Sequence, residues 1–369
     1  MASIHSIADL GRSAEQQLPV HLWDFIAGGS GDELTLAANR AAFDAVHLVP
    51  RVLVDVAEPN CGTTLFGREL TMPVAVAPMA YQRLLHPDGE LATARAAAAA
   101  GIPFTVTTLS TVAVEQITDT GADTWFQLYW LRDRALMLDL VHRAENAGCS
   151  ALILTVDVPE MGRRLRDIRN GFALPADIRA VQLPEAATSL AQTRSADASA
   201  VATHTSELFD PGLNWANLEW LRANTRLPIV LKGLLDPRDA ALAVEHGVDA
   251  IVVSNHGGRQ LDGAIPSIDA LPDIRAAVGD HCTVLLDSGI RGGIDVLRAL
   301  ALGASAVLLG RPVLWGLAVG AETGVSATLS MLRAELHTAM RLTGCPDLVA
   351  AAALRHAKPS HAEKGVMSR

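Results

Sequence analysis

The chain has 369 residues, half of them apolar, with 30 Lys and Arg against 40 Asp and Glu and a net charge of −10. That acidity argues against a general binder of nucleic acid or anionic membrane, and no uncharged apolar run approaches the ~18 residues of a membrane span. The cysteines (Cys61, Cys149, Cys282, Cys345) are far apart and form no metal-type pair. No metal site is expected. Reduced thiols and the lack of a secretory pattern over Met1–Leu10 point to a cytoplasmic protein.

The N-terminal part reads as helical. Leu18-Pro19 precedes the pattern His21–Ile26, which stops at Gly28-Gly29-Ser30-Gly31. Those glycines follow a helical pattern and not a strand, so they read as a helix stop and not a nucleotide loop. Glu33 to Phe43 reads as a second helix. From Met72 onward a unit repeats: a helix rich in Ala and charge ends at a glycine, and a short apolar strand follows. Gly101, Gly148, Gly247 and Gly303 are the stops. Eight strands result: Val74–Ala77, Phe104–Thr107, Trp125–Tyr129, Ala151–Val156, Ile229–Lys232, Ala250–Val253, Thr283–Asp287 and Ala306–Leu309. Strict alternation implies parallel strands with crossover helices. The predicted fold is an α/β (β/α)8 TIM barrel over residues 72–345, with a helical extension over 1–70, all in a single domain spanning 1–369. An open doubly wound sheet is the alternative. It would want a glycine fingerprint after its first strand, and Pro78-Met79-Ala80-Tyr81 is not one.

A long stretch after the fourth strand, 157–227, breaks the rhythm. Its middle, Ala186 to Thr205, is rich in Ala, Ser and Thr with little periodicity, and reads as a mobile lid loop. After Gly310-Arg311-Pro312 the chain closes with helices to about Leu342. The tail from Ala357 reads as frayed.

In a barrel the active site is built from the C-terminal ends of the strands. Here these ends carry Pro78-Met79-Ala80, Thr107, Gln127 with Tyr129, Thr155-Val156-Asp157, Lys232-Gly233, Ser254-Asn255-His256-Gly257-Gly258-Arg259, Asp287-Ser288-Gly289-Ile290-Arg291 and Gly310-Arg311. Both tyrosines of the chain, Tyr81 and Tyr129, fall at or near this rim. Strand ends that gather Lys, His, Asp, Tyr and Arg above apolar strands point to a ligand or catalytic site. Gly289, Gly292, Gly293 and Gly310, with Arg291 and Arg311, have the composition of a phosphate site after strands seven and eight. Asp157 and His256 form a candidate base pair, the carboxylate orienting the ring; a helix N-cap is the competing role for Asp157. Lys232 ends an apolar strand, where a lysine needs an anion partner; a Schiff base and a negative cofactor both remain open. Arg164, with Arg259, has the chemistry to clamp a carboxylate, and a solvated basic stretch is its other reading.

Taken together, Ser254–Asp262, Thr155-Val156-Asp157, Gly162-Arg163-Arg164 and Leu231-Lys232-Gly233 resemble the FMN-dependent 2-hydroxy acid oxidase and dehydrogenase family, which includes glycolate oxidase, lactate oxidase and mandelate dehydrogenase. The resemblance runs from about Leu18 to Cys345. It implies FMN as cofactor and an (S)-2-hydroxy acid as substrate. It also implies the 2-oxo acid as product and O2 as acceptor, giving hydrogen peroxide. His256 would be the base, with Asp157 as its partner, and Tyr129 would hydrogen-bond near the substrate oxygen. Arg164 and Arg259 would hold the carboxylate. Lys232 would stabilise the reduced flavin. Pro78, Met79, Ala80, Thr107, Gln127, Thr155 and Ser254 would surround the flavin. Asp287, Ser288, Gly289, Arg291, Gly310 and Arg311 would take the ribityl chain and phosphate. A homotetramer is also implied.

Two positions depart from the family pattern. Phe25 stands where a tyrosine usually helps hold the substrate carboxylate, and it cannot donate. Leu109 stands where short-chain oxidases often place tryptophan, leaving room for a bulkier group. Phe25–Ser30, Trp125–Trp130 and Met161–Asp167 look most like the 4-hydroxymandelate oxidases, which implies an aryl substrate such as 4-hydroxymandelate or mandelate. A dehydrogenase with another acceptor, or an enzyme for aliphatic acids, is the alternative within the family. A flavin-dependent isomerase or synthase barrel is the rival class. It would not need two arginines and a base on one carboxylate, and no cysteine lies in a rim loop to serve as a nucleophile.

Overall fold

The structure is a computed structural model. It describes residues 4–185, 188–192 and 199–357.

Eight parallel strands close a barrel in chain order: Val74–Val76, Phe104–Thr107, Thr124–Tyr129, Ala151–Thr155, Ile229–Leu234, Ala250–Val253, Thr283–Leu286 and Ala306–Leu309. The last pairs with the first, Val307 opposite Val74. These are the eight strands expected, with ends shifted by one or two residues. The four glycine stops all have positive φ, as a left-handed helix end requires.

Side chains alternate between the two faces of each strand. One set (Val74, Val76, Phe104, Val106, Phe126, Leu152) packs outward against the helices. The other forms a separate core inside the barrel: Ala75, Trp125, Ala151, Ile153, Val230, Val252, Leu285 and Leu308. Further along each strand the same inward row reaches Ala77, Thr107, Gln127, Thr155, Lys232, Ser254, Asp287 and Gly310. The period of two thus turns an apolar plug below into a polar floor above.

The helical extension is shorter than expected. Helices occupy Ile7–Gln17, Val20–Ala27 and Leu34–Asp44. A hairpin follows, Thr63–Leu65 with Arg68–Leu70. Its turn residues Phe66 and Gly67 have φ of 50° and 75°, the mirror-image turn that suits strand twist. Its Leu65 and Leu70 join the inner core and close the barrel from below.

The stretch after strand four also differs from a plain loop. Helices form at Leu165–Arg169, Ala200–Leu208 and Ala216–Ala223, with a 3-10 turn at Ser189–Gln192. Ser199 caps the second of these by accepting from the Ala202 amide, and Ala200, Val201, His204 and Thr205 are buried. Cap and buried face explain why Ala200–Thr205, expected within a loop, is helical. The remainder of the expected lid at 186–187 and 193–198, and the tail from Lys358, lie outside the described residues. The closing helix, Arg311–Thr343, runs close to the expected limit and kinks at Gly320-Ala321.

Candidate active site

The polar floor opens into a cavity at the C-terminal end of the barrel. Its empty space, mouth included, is about 1260 Å³. Lys232 stands on the floor, 3% exposed. Its Nζ lies 3.1 Å from Asp287 Oδ2 and donates to Ser254 Oγ at 3.0 Å. Burial pushes its pKa down, but the carboxylates of Asp287 and Asp157 outweigh burial and hold it above the usual lysine value. A charged, hydrogen-bonded lysine is unsuited to act as a Schiff-base amine.

The loop after strand six is strained and pinned. His256, Gly257 and Gly258 have φ of 59°, 68° and 74°. At Gly258 a Cβ would come within 2.7 Å of the Leu36 backbone, so only glycine allows the N-terminal segment to dock there. Ser288 Oγ accepts from the amides of Gly257, at 2.8 Å, and Asn255, at 3.3 Å. Asn255 and Asn39 exchange side-chain hydrogen bonds of 2.7 and 2.9 Å. Held this way, His256 places Nδ1 at 3.0 and 3.2 Å from the two oxygens of Asp157. The carboxylate accepts the Nδ1 proton, which leaves Nε2 unprotonated. Burial lowers the His256 pKa. Asp157 opposes that, and the nearby charges of Lys232 and Arg164 add to it; the result is below the ordinary histidine value. The ring is therefore a neutral base near pH 7.

Four arginines share the cavity, Arg164 buried and Arg259, Arg291 and Arg311 half-buried. Arg164 has its pKa pushed down to about 9, first by burial and then by Arg259. Arg291 is pushed down to about 10 by burial and Arg40. Arg259 is lowered by burial, and Arg311 well lowered by burial and by Arg291, Arg259 and Arg164. Crowded cations of this kind call for anions. Arg164 Nε has no hydrogen-bond partner among the described residues. Asp167, buried beside Arg259 and Arg164, offsets part of their charge. Arg259 donates to Gly28 O at 2.8 Å and lies over the Phe25 ring at 5.6 Å. Arg311 donates to the carbonyls of Ile26, Gly28 and Gly257.

Most of the expected site residues line this one cavity: Phe25, Pro78, Met79, Ala80, Thr107, Gln127, Tyr129, Thr155, Arg164, Lys232, His256, Arg259, Asp287, Ser288, Gly289, Arg291, Gly310 and Arg311. Asp157 and Ser254 stand behind it, bonded to His256 and Lys232. Two glycines proposed for phosphate do not face it. The Gly293 amide donates to Glu335 at 2.8 Å, and a Cβ on Gly292 would meet that same carboxylate at 2.6 Å. They serve packing against the long C-terminal helix instead.

The cavity fits FMN by the chemistry of its donors. Gln127 Oε1 is a buried acceptor without a partner among the described residues, while its Nε2 donates to Thr155 Oγ1 at 2.9 Å. A free acceptor beside a buried cation, with Arg291 and Arg311 further along, matches a flavin imide edge and a phosphate.

Several wall residues escaped the sequence analysis. Phe209 stacks on Tyr129 with centroids 4.3 Å apart, and Phe172 stacks on Phe25 at 4.4 Å. Val201 and Thr205 line the cavity from the helix Ala200–Leu208, with Val158 and Met161 nearby. The i, i+4, i+8 spacing of Val201, Thr205 and Phe209 is the one signal that could have revealed a helical face there.

The model of the FMN-dependent dehydrogenase family matches residues 14–356. The chain is 54% identical to 4-hydroxymandelate oxidase of Amycolatopsis orientalis over 94% of this chain and 96% of that protein. It is 50% identical to L-lactate oxidase of a Nostoc species, covering 90% and 94%. A crystal structure of mandelate oxidase with (S)-4-hydroxymandelic acid superposes with a TM-score of 0.93 at 54% identity, covering 96% of this chain and 99% of that one. The chain belongs to the FMN-dependent dehydrogenase family and is a flavin oxidoreductase of 2-hydroxy acids.

Proposed function

We propose that this enzyme oxidises an aryl-substituted (S)-2-hydroxy acid, such as 4-hydroxymandelate or mandelate, to the 2-oxo acid, with O2 reduced to hydrogen peroxide. The observation that carries the reading is the His256–Asp157 pair, at 3.0 Å, in one cavity with Arg164 and Arg259. The arginines hold the substrate carboxylate, which fixes the carbinol carbon. His256 Nε2 removes the hydroxyl proton, and Asp157 stabilises the imidazolium that forms. Tyr129 hydrogen-bonds the substrate oxygen. Bound FMN supplies the two-electron acceptor. Lys232 holds a fixed positive charge on the cavity floor where negative charge develops. Asp287, Ser288, Gly289, Arg291, Gly310 and Arg311 bind the ribityl phosphate.

The aryl preference is supported by the wall. Leu109 takes the place of a larger ring, and Phe25, Phe209 and Val201 add apolar surface, with Phe172 stacked on Phe25. With Phe25 unable to donate, the carboxylate rests on the two arginines. The helix Ala200–Leu208, which puts Val201 and Thr205 on the cavity wall, covers the substrate space. All four cysteines are free and buried, in keeping with a reducing compartment such as the cytoplasm. Among the described residues no helix is long and apolar enough to cross a membrane. A homotetramer is proposed on resemblance alone.

The test is peroxide formation from (S)-mandelate by His256→Ala loaded with FMN. The expected fall in kcat is about 10²–10⁴-fold, and near-normal turnover would remove His256 as the base.

A further inference from the structure

Tyr81 lines the same cavity and has no part in the chemistry above. It is 1% exposed, and its hydroxyl is buried without a hydrogen-bond partner among the described residues. A buried tyrosine hydroxyl normally has one. The backbone at Tyr81 is also left-handed, φ 57°, an uncommon and costly state for a bulky residue that tends to occur at functional sites.

The surroundings hold that strain in place. The Tyr81 amide donates to Leu109 O at 3.2 Å. The next amide, Gln82, donates to Glu90 Oε1 at 3.2 Å. Glu90, itself buried, also accepts from the Thr111 amide at 2.9 Å and from the Thr111 hydroxyl. One buried carboxylate thus ties the turn bearing Tyr81 to the turn bearing Leu109. Leu109 lines the cavity as well and brings no polar atom. Tyr129, assigned above to the substrate oxygen, lines the same cavity as Tyr81.

We propose that Tyr81 is a specificity-determining residue that hydrogen-bonds a hydroxyl on the ring of the aryl substrate, in the space left by Leu109. This rests on the aryl reading above. A phenol offers one donor and free acceptor lone pairs, so its natural complement is another hydroxyl. A site built to bond a substrate hydroxyl discriminates against the analogue that lacks it.

The experiment compares kcat/KM for (S)-4-hydroxymandelate and (S)-3-hydroxymandelate with that for (S)-mandelate, in the FMN-loaded wild type and in Tyr81→Phe. The expected result is a wild-type preference for one hydroxylated acid that falls about tenfold in the variant, the size of one neutral hydrogen bond. Preferences unchanged, or all substrates falling by one factor, would overturn the proposal and leave Tyr81 a packing residue. A wild type that turns over none of these acids would sink the aryl reading itself, and this inference with it. If the variant does not fold, the wild type is titrated with 4- and 3-hydroxybenzoylformate against benzoylformate by flavin absorbance. Tighter binding of a hydroxylated acid supports the proposal, and equal Kd values overturn it.

Discussion

His256 shows how several weak terms set one function. Burial is the largest influence on its pKa and lowers it, Asp157 opposes, and Lys232 and Arg164 tip the balance downward. The base is neutral above its pKa and lost as pH falls through it. The acid limb of kcat/KM against pH is therefore expected below the ordinary histidine value of ~6.5. An acid limb above that value would contradict the electrostatic account. The residues of this pair were legible because their types and strand-end positions point to acid–base chemistry. Tyr81 was visible at the rim, but its orphaned hydroxyl is a three-dimensional fact. Phe172 was not legible, and Phe209 only through its spacing with Val201 and Thr205. Each stacks on a residue remote in the chain.

Elements here complete one another. The helix Leu34–Asp44 begins at Glu33, which is left-handed and provides no side-chain cap. Its start is capped from a distant part of the chain: Asp262, in the loop after strand six, accepts from the amides of Asp32 and Thr35, both at 2.9 Å. Asp262→Ala is expected to cost ~0.5–2 kcal/mol, as for loss of an ordinary cap. Urea unfolding of the FMN-loaded protein measures it, and unchanged stability would remove the capping role. Asp262 was legible as part of a motif but not as a cap, because helix ends are read from adjacent residues. The hairpin Thr63–Leu70 was missed for a related reason. Its strands are three residues each, too short for a period of two to stand out. The barrel itself was legible because four of its units carry their own punctuation, a glycine stop and then a short apolar strand.

At the scale of the whole molecule, a plugged barrel supports a rigid polar floor, and the N-terminal helices and the segment after strand four build walls over it. The aryl preference proposed above rests on these walls. The most direct measurement is anaerobic mixing of the FMN-loaded enzyme with (S)-4-hydroxymandelate, (S)-mandelate, lactate and glycolate, following flavin bleaching, then admission of air and assay of peroxide. Fast bleaching by the two aryl acids, slower bleaching by lactate and glycolate, and peroxide on reoxidation are the predicted result. Bleaching by lactate or glycolate but not by the aryl acids, or a reduced flavin that air does not reoxidise, would contradict it.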